Sequence, residues 1–197
     1  MPVRFGPRAR NETPAPMKPP KIWYFKPYDL NKNLGVAYNE YCRLVPDGDW
    51  ICLMDGDCMF LSPNWGHIAQ QYIMQYPNTA LFIPVTNRVG KGSQCYGDKR
   101  SEDANISNHK RLADKASQKL MVKNMNHVRW PSMPCFLFPK KIWNAVGGFD
   151  ETGRILGVDV RFSQKVMSHG DCLRMNGLYL FHYYRLNEGW RNLDHVK

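Results

Sequence analysis

Asp55-Gly56-Asp57 closes an apolar run, Trp50-Ile51-Cys52-Leu53-Met54, and a second apolar group, Cys58-Met59-Phe60-Leu61, follows it. A short, bulky run bounded by polar residues reads as a buried strand. Two carboxylates across a glycine at the end of such a strand are costly unless something positive binds there. A divalent cation with oxygen ligands meets that need, as do the phosphates such a cation neutralises. Asp-Gly is also a common turn dipeptide, so the tripeptide alone fits a tight turn equally well. His182 directly follows the apolar run Leu178-Tyr179-Leu180-Phe181. A neutral imidazole there can complete an oxygen-rich site for a metal such as Mn²⁺, although a histidine of intermediate burial is more often structural. Asp159 stands at the start of a predicted helix, after Gly157 and Val158. The helix dipole favours a carboxylate at that position, and the same position suits a general base aimed into a cleft.

These groups work together only if the elements carrying them end on one side of a sheet. Ligands of open α/β sheets bind beyond the carboxyl ends of the strands. The pattern predicts a first strand over 21–25, stopped by Pro27, and a helix over 33–44 capped by Asn31 or Asn33. Leu34, Tyr38, Tyr41 and Leu44 share one face of that helix. A strand over 50–54, a helix over 65–76 and a strand over 80–85 follow. Residues 87–129 are polar, with one helix expected over 110–123, and read as an insertion or a lid. A strand over 130–138 is broken by Pro131 and Pro134. A helix over 140–146, a Gly147-Gly148-Phe149-Asp150 turn, a helix over 158–168 and a strand over 178–181 complete the chain. The alternation predicts an open, mostly parallel twisted α/β sheet flanked by helices, in a single compact domain over 21–197.

The 197 residues carry a formal charge of +10. That balance favours anionic partners, whether nucleotide-sugar phosphates, nucleic acid or an anionic membrane surface, and does not choose among them. Residues 1–20 are basic and proline-rich without apolar periodicity, and read as a disordered arm. The six cysteines are scattered with no C-x-x-C pair, which argues against a zinc site and for reduced, buried thiols. No run is long and apolar enough to span a bilayer and no secretion signal is visible, so a cytoplasmic setting is expected.

The order of these motifs resembles the GT-A glycosyltransferases, and most closely the large inverting family that includes many bacterial and phage sugar transferases. Asp55-Gly56-Asp57 is similar to that fold's D-x-D motif, and Gly147-Gly148-Phe149-Asp150-Glu151 to the loop ahead of its acceptor site. Val158-Asp159-Val160-Arg161-Phe162 resembles its E-D-x-D/E-L helix, with Asp159 in the Asp place. Phe181-His182-Tyr183-Tyr184-Arg185 resembles the strand that brings the third metal ligand. Asn33-Leu34-Gly35-Val36-Ala37-Tyr38-Asn39 is similar to the N-x-G-x-x-x-A-x-N helix beside the donor nucleotide. Two departures stand out. The usual second strand with its base-holding Asp has no counterpart, and Val158 and Arg161 replace acidic residues.

The resemblance implies a metal-dependent inverting glycosyltransferase that moves a sugar from a nucleotide-diphosphate donor, UDP-linked, to an acceptor hydroxyl. It implies Asp57, His182 and Asp55 around Mn²⁺ or Mg²⁺, and Asp159 as catalytic base. The donor pocket is expected to draw on Phe25, Pro27, Tyr28, Asn33 and Asn39 as well as Asp55 and Asp57. Lys26, Arg88 and Arg185 are candidate phosphate partners, and Trp190 a candidate flap. The acceptor ranges over a saccharide, a lipid-linked glycan, a protein or a hydroxylated base in DNA, the last motivated by the basic charge. Two other functions fit the same residues: a nucleotidyltransferase-like enzyme, or a non-catalytic nucleic-acid- or glycan-binding module on a transferase scaffold.

Overall fold

The computed structural model describes residues 19–129, 131–152, 157–184 and 186. Twelve main elements follow in chain order: β1 Ile22–Phe25, α1 Leu34–Arg43, β2 Trp50–Met54, β3 Cys58–Phe60, α2 Trp65–Gln75, β4 Leu81–Thr86, α3 Ile106–Ala116, β5 Val122–Asn124, β6 Cys135–Pro139, α4 Lys140–Val146, α5 Val158–Met167 and β7 Cys172–His182. Seven strands form one sheet in the order β1-β2-β6-β4-β7-β3, with β5 also paired to β7. β1–β2 and β4–β7 are parallel pairs, and the other pairings are antiparallel. Because β6 runs against both β2 and β4, the strands β1, β2, β4 and β7 all point one way. The sheet is therefore mixed. The strand alternation in the sequence marked the co-directional set and could not reveal the reversed strand inserted among it.

Strand side chains alternate between faces, and β2 shows how both faces become buried. Ile51 and Leu53 join α1, α4 and α5 in one core through Tyr38, Cys42, Ile142, Phe162 and Val166. Trp50, Cys52 and Met54 pack on the other face against Ile68, Ala69, Tyr72 and Ile73 of α2. A continuous apolar run is what such a two-sided strand requires. Asn33 caps α1, its side-chain oxygen accepting the Val36 N–H at 3.2 Å.

The segment 87–129 differs from its sequence pattern. Its helix lies at Ile106–Ala116, and Val122–Asn124 pairs with β7 as a strand instead of continuing the helix. Ala113 and Ala116 pack with Val85 and Tyr179. The expected strand over 130–138 is confined to Cys135–Pro139, beyond both prolines that lack an N–H for the ladder. The last strand is longer than 178–181. β7 slips register against β4 between Pro84↔Met175 and Val85↔Tyr179, so 176–178 bulge out. The Gly177 N–H at that bulge donates to the Tyr72 hydroxyl at 2.7 Å, and a Cβ there would press on Tyr72 and Leu120. Beyond the bulge β7 exchanges β5 for β3 as its neighbour and delivers His182 opposite Cys58. Among the described residues no helix is long and apolar enough to cross a membrane.

Candidate active site

β2 and β7 run in the same direction, so Asp55, just past β2, and His182, at the end of β7, reach the same side of the sheet. β6 runs the other way, so its approach, Ser132, Met133 and Pro134, enters at that side too. Together with Leu34 and Tyr38 of α1, Gly157 and Asp159 at α5, and Asp57, they line a cleft of about 320 Å³. Asp55-Gly56-Asp57 is indeed a turn, closed by the Cys58 N–H on the Asp55 carbonyl at 3.2 Å. The tightness of this turn sets both carboxylates beside the cleft.

Asp55 sits deepest. Burial pushes its pKa up to about 7, Asp57 and Asp159 add to the rise, and His182 and the Tyr38 hydroxyl work against it. Tyr38 donates to Asp55 Oδ1 at 3.2 Å, and burial and the neighbouring carboxylate hold its own hydroxyl well above the ordinary tyrosine value. Asp57 moves the other way. Burial acts upward on it, but the hydrogen bond and charge of His182 outweigh burial and hold it below the usual carboxylate value. Adjacent carboxylates pushed apart in this manner are a common mark of functional sites.

His182 is only 5 % exposed. Its Nδ1 lies 2.9 Å from the Arg88 carbonyl oxygen, which can only accept, so Nδ1 carries a proton. In the neutral ring the Nε2 lone pair then faces Asp57 Oδ2 at 3.4 Å. Two lone-pair-bearing atoms so placed repel unless a proton or a cation lies between them. The donor set therefore fits a divalent ion. The backbone around the ring is fixed by Asn87, whose side chain accepts the His182 N–H at 2.7 Å and donates to the His182 carbonyl at 3.1 Å.

Asp159, in the first turn of α5, borders the cleft and accepts the Val160 N–H at 2.8 Å. Other residues expected at the donor pocket are not among those lining this cleft. Asn39 is buried and its four hydrogen bonds stay inside the fold: it accepts from Phe149 N–H and Trp143 Nε1, and donates to the Phe149 carbonyl and Glu151 Oε1. Asn33 donates to the Glu151 carbonyl at 2.8 Å. Both asparagines thus clamp the 147–151 loop onto α1, and Gly35 permits the approach, since a Cβ there would collide with the Asp150 carbonyl. Phe25 packs on Tyr41 with ring centroids 5.1 Å apart. Pro27 is half-buried and Tyr28 is 73 % exposed, and neither borders the cleft.

Lys26 and Arg88, candidate phosphate partners, bond to protein groups. Lys26 Nζ donates to the Cys58 carbonyl at 2.8 Å and the Gly56 carbonyl at 3.3 Å, clamping the acidic turn. Arg88 is buried and paired with Glu102. Arg161 forms an ion pair with Asp150 at 2.6 Å, tying α5 to the 147–151 loop. Arg185, Trp190 and the arm up to residue 18 lie outside the described residues. The sequence did not single out Tyr38 or Cys58 as site residues. Tyr38 shares one helix face by spacing with Leu34, Tyr41 and Leu44, and a buried tyrosine hydroxyl needs a partner, which is the available signal.

No known family pattern matches the chain, and no curated protein matches it in sequence. Its fold is similar to that of GalNAc-T7, solved with UDP, GalNAc and Mn²⁺, at a TM-score of 0.53 and 14 % identity. The match covers 80 % of this chain and 31 % of that one. At that identity the likeness concerns the fold alone: a mixed α/β sheet flanked by helices, consistent with a GT-A-like fold.

Proposed function

We propose that this chain is a divalent-metal-dependent glycosyltransferase that moves a sugar from a nucleoside-diphosphate donor to an acceptor hydroxyl. The carrying observation is the convergence of Asp55, Asp57, His182 and Asp159 on one cleft at the carboxyl ends of β2 and β7. The GT-A-like fold supports it, and the neighbour's UDP and Mn²⁺ support a uridine donor and that metal. Asp57 and His182 hold Mn²⁺ or Mg²⁺, with Asp55 next to them. Bound there, the ion supplies Lewis-acid stabilisation of the departing diphosphate. Asp159 accepts the proton of the acceptor hydroxyl as it attacks the anomeric carbon from the face opposite the diphosphate, so configuration inverts. Tyr38 fixes the Asp55 carboxyl through its hydroxyl, and Lys26 keeps the turn closed. In this proposal the resemblance to the inverting family extends to mechanism.

Thermal shift with a panel of nucleoside diphosphates and nucleotide sugars, with and without Mn²⁺, tests it. Metal-dependent stabilisation by one nucleotide, absent in Asp57→Ala, is expected. Product analysis separates the neighbouring chemistry: a nucleoside diphosphate is expected, whereas pyrophosphate from a nucleoside triphosphate would indicate nucleotidyl transfer. A folded chain that responds to no nucleotide would instead be a binding module.

A further inference from the structure

Cys58 and His182 are register partners in the antiparallel β3–β7 pair, so their side chains leave the sheet on the same face. Asp57 precedes Cys58 and its carboxylate meets both. Oδ2 is 3.4 Å from His182 Nε2, and Oδ1 is 3.9 Å from Cys58 Sγ. One ligand atom from each of the three residues lies within 4.8 Å of the others. Tetrahedral zinc bonds nitrogen and oxygen at about 2.0–2.2 Å and sulfur at about 2.3 Å, which gives edges of about 3.4 Å for N···O and about 3.6 Å for O···S. An octahedral shell with bonds of about 2.1 Å has shorter edges, about 3.0 Å. The Asp57 Oδ2 to His182 Nε2 separation equals the first of these edges, and Cys58 Sγ approaches the other oxygen, Oδ1, so the three donors come within reach of one ion.

The surroundings favour an assembled site over three residues that happen to be close. Cys58 and His182 are 1 % and 5 % exposed, while Asp57 faces outward and leaves a side open. The His182 ring is oriented by the Arg88 carbonyl and its backbone by Asn87. The Cys58 carbonyl is held by Lys26. Both strands are therefore pinned without help from an ion, and partners of this kind that orient a ligand commonly strengthen metal affinity. Sulfur beside imidazole and carboxylate is the donor mixture of zinc, cobalt and iron more than of manganese or magnesium.

We propose that Cys58 joins Asp57 and His182 as a third ligand, making a mixed oxygen, sulfur and nitrogen site that prefers zinc, or a similarly thiophilic divalent ion, over manganese and magnesium. It rests on the metal-binding part of the function proposed above, puts a thiophilic ion in place of the Mn²⁺ or Mg²⁺ named there, and is independent of what is transferred. Coordination expels the thiol proton to solvent. The site remains open at a fourth position beside the cleft, so a metal shared with a phosphate ligand is compatible with it.

The test is titration of the metal-stripped full chain with Co²⁺. A thiolate-to-cobalt charge-transfer band in the near ultraviolet is expected, with one equivalent of Zn²⁺ displacing it. Cys58→Ser is expected to lose the band and weaken zinc binding by at least about 10–100-fold, the loss that removing an orienting partner alone causes, with Mn²⁺ affinity nearly unchanged. Cobalt binding without that band, or a band that survives in Cys58→Ser, overturns the ligand role of Cys58 and leaves the function proposed above standing. Absence of both cobalt and Mn²⁺ binding in the folded wild-type chain overturns both. Zinc-edge X-ray absorption of the wild-type chain needs no variant. One sulfur in the zinc shell is expected, and a shell of only nitrogen and oxygen overturns the proposal.

Discussion

Asp55 and Asp57 are two positions apart and titrate in opposite directions because their neighbours differ. Asp55 is half-buried beside two further carboxylates, while Asp57 faces the His182 ring. With Asp55 at about 7 in the fold against 3.8 as a free side chain, the folded chain binds a proton between those values that the unfolded chain has released. Stability of the metal-free protein should therefore fall as pH rises from about 4 to about 7 and level off above. Asp57 acts only at the acid end, where the stability from its lowered pKa is lost as pH falls through it. A cation relieves the Asp55 penalty, so Mn²⁺ should raise Tm more at about pH 8 than at about pH 5. Melting curves across pH with chelator and with Mn²⁺ check this, and an equal shift at both pH values would contradict it. Asp159→Asn keeps the shape of the α5 start and removes the base. It should leave nucleotide binding intact and slow transfer about 10²–10⁴-fold, read by calorimetry and turnover on the same sample.

At the scale of elements, α1 and the 147–151 loop form one unit around Asn39. Asn39→Ala would strand the Phe149 N–H and the Trp143 indole N–H. Each buried donor left unpaired costs about 1–3 kcal/mol. The expected result is a clear drop in Tm with nucleotide affinity little changed. An unchanged Tm with weakened affinity would return Asn39 to the donor pocket. The bulge at 176–178 is the second decisive element. It lets one strand pair with β5 at its start and β3 at its end, and so brings His182 to the turn that follows β2.

For the whole molecule, the charge of +10 bears on the acceptor more than on the fold. Exposed lysines and arginines of α3, Lys110, Arg111 and Lys115, stand on one helix whose opposite side packs on β4 and β7. A hydroxylated base in DNA as acceptor requires retention on duplex DNA that falls by a factor of ten or more when salt rises from about 50 to about 200 mM. Filter binding across that range decides it: salt-insensitive or absent binding removes DNA and leaves saccharide, lipid-linked or protein hydroxyls.

Local pattern sufficed for α1, β2, α2, α4 and α5, because each carries its periodicity, cap or breaker within its own residues. It also marked Asp55, Asp57, Asp159 and His182, since an ionisable residue directly after an apolar strand or at a helix start is visible without the fold. Four features depended on tertiary structure. The reversal of β6 and the bulge in β7 are choices of strand partner, which no single segment encodes. The use of Asn33, Asn39 and Lys26 as clamps depended on which loops arrive beside them. The pairing of Cys58 with His182 joins residues 124 positions apart through strand register alone. The chain sequence thus determined which side chains were available for chemistry, and the long-range pairing of the sheet decided which of them meet.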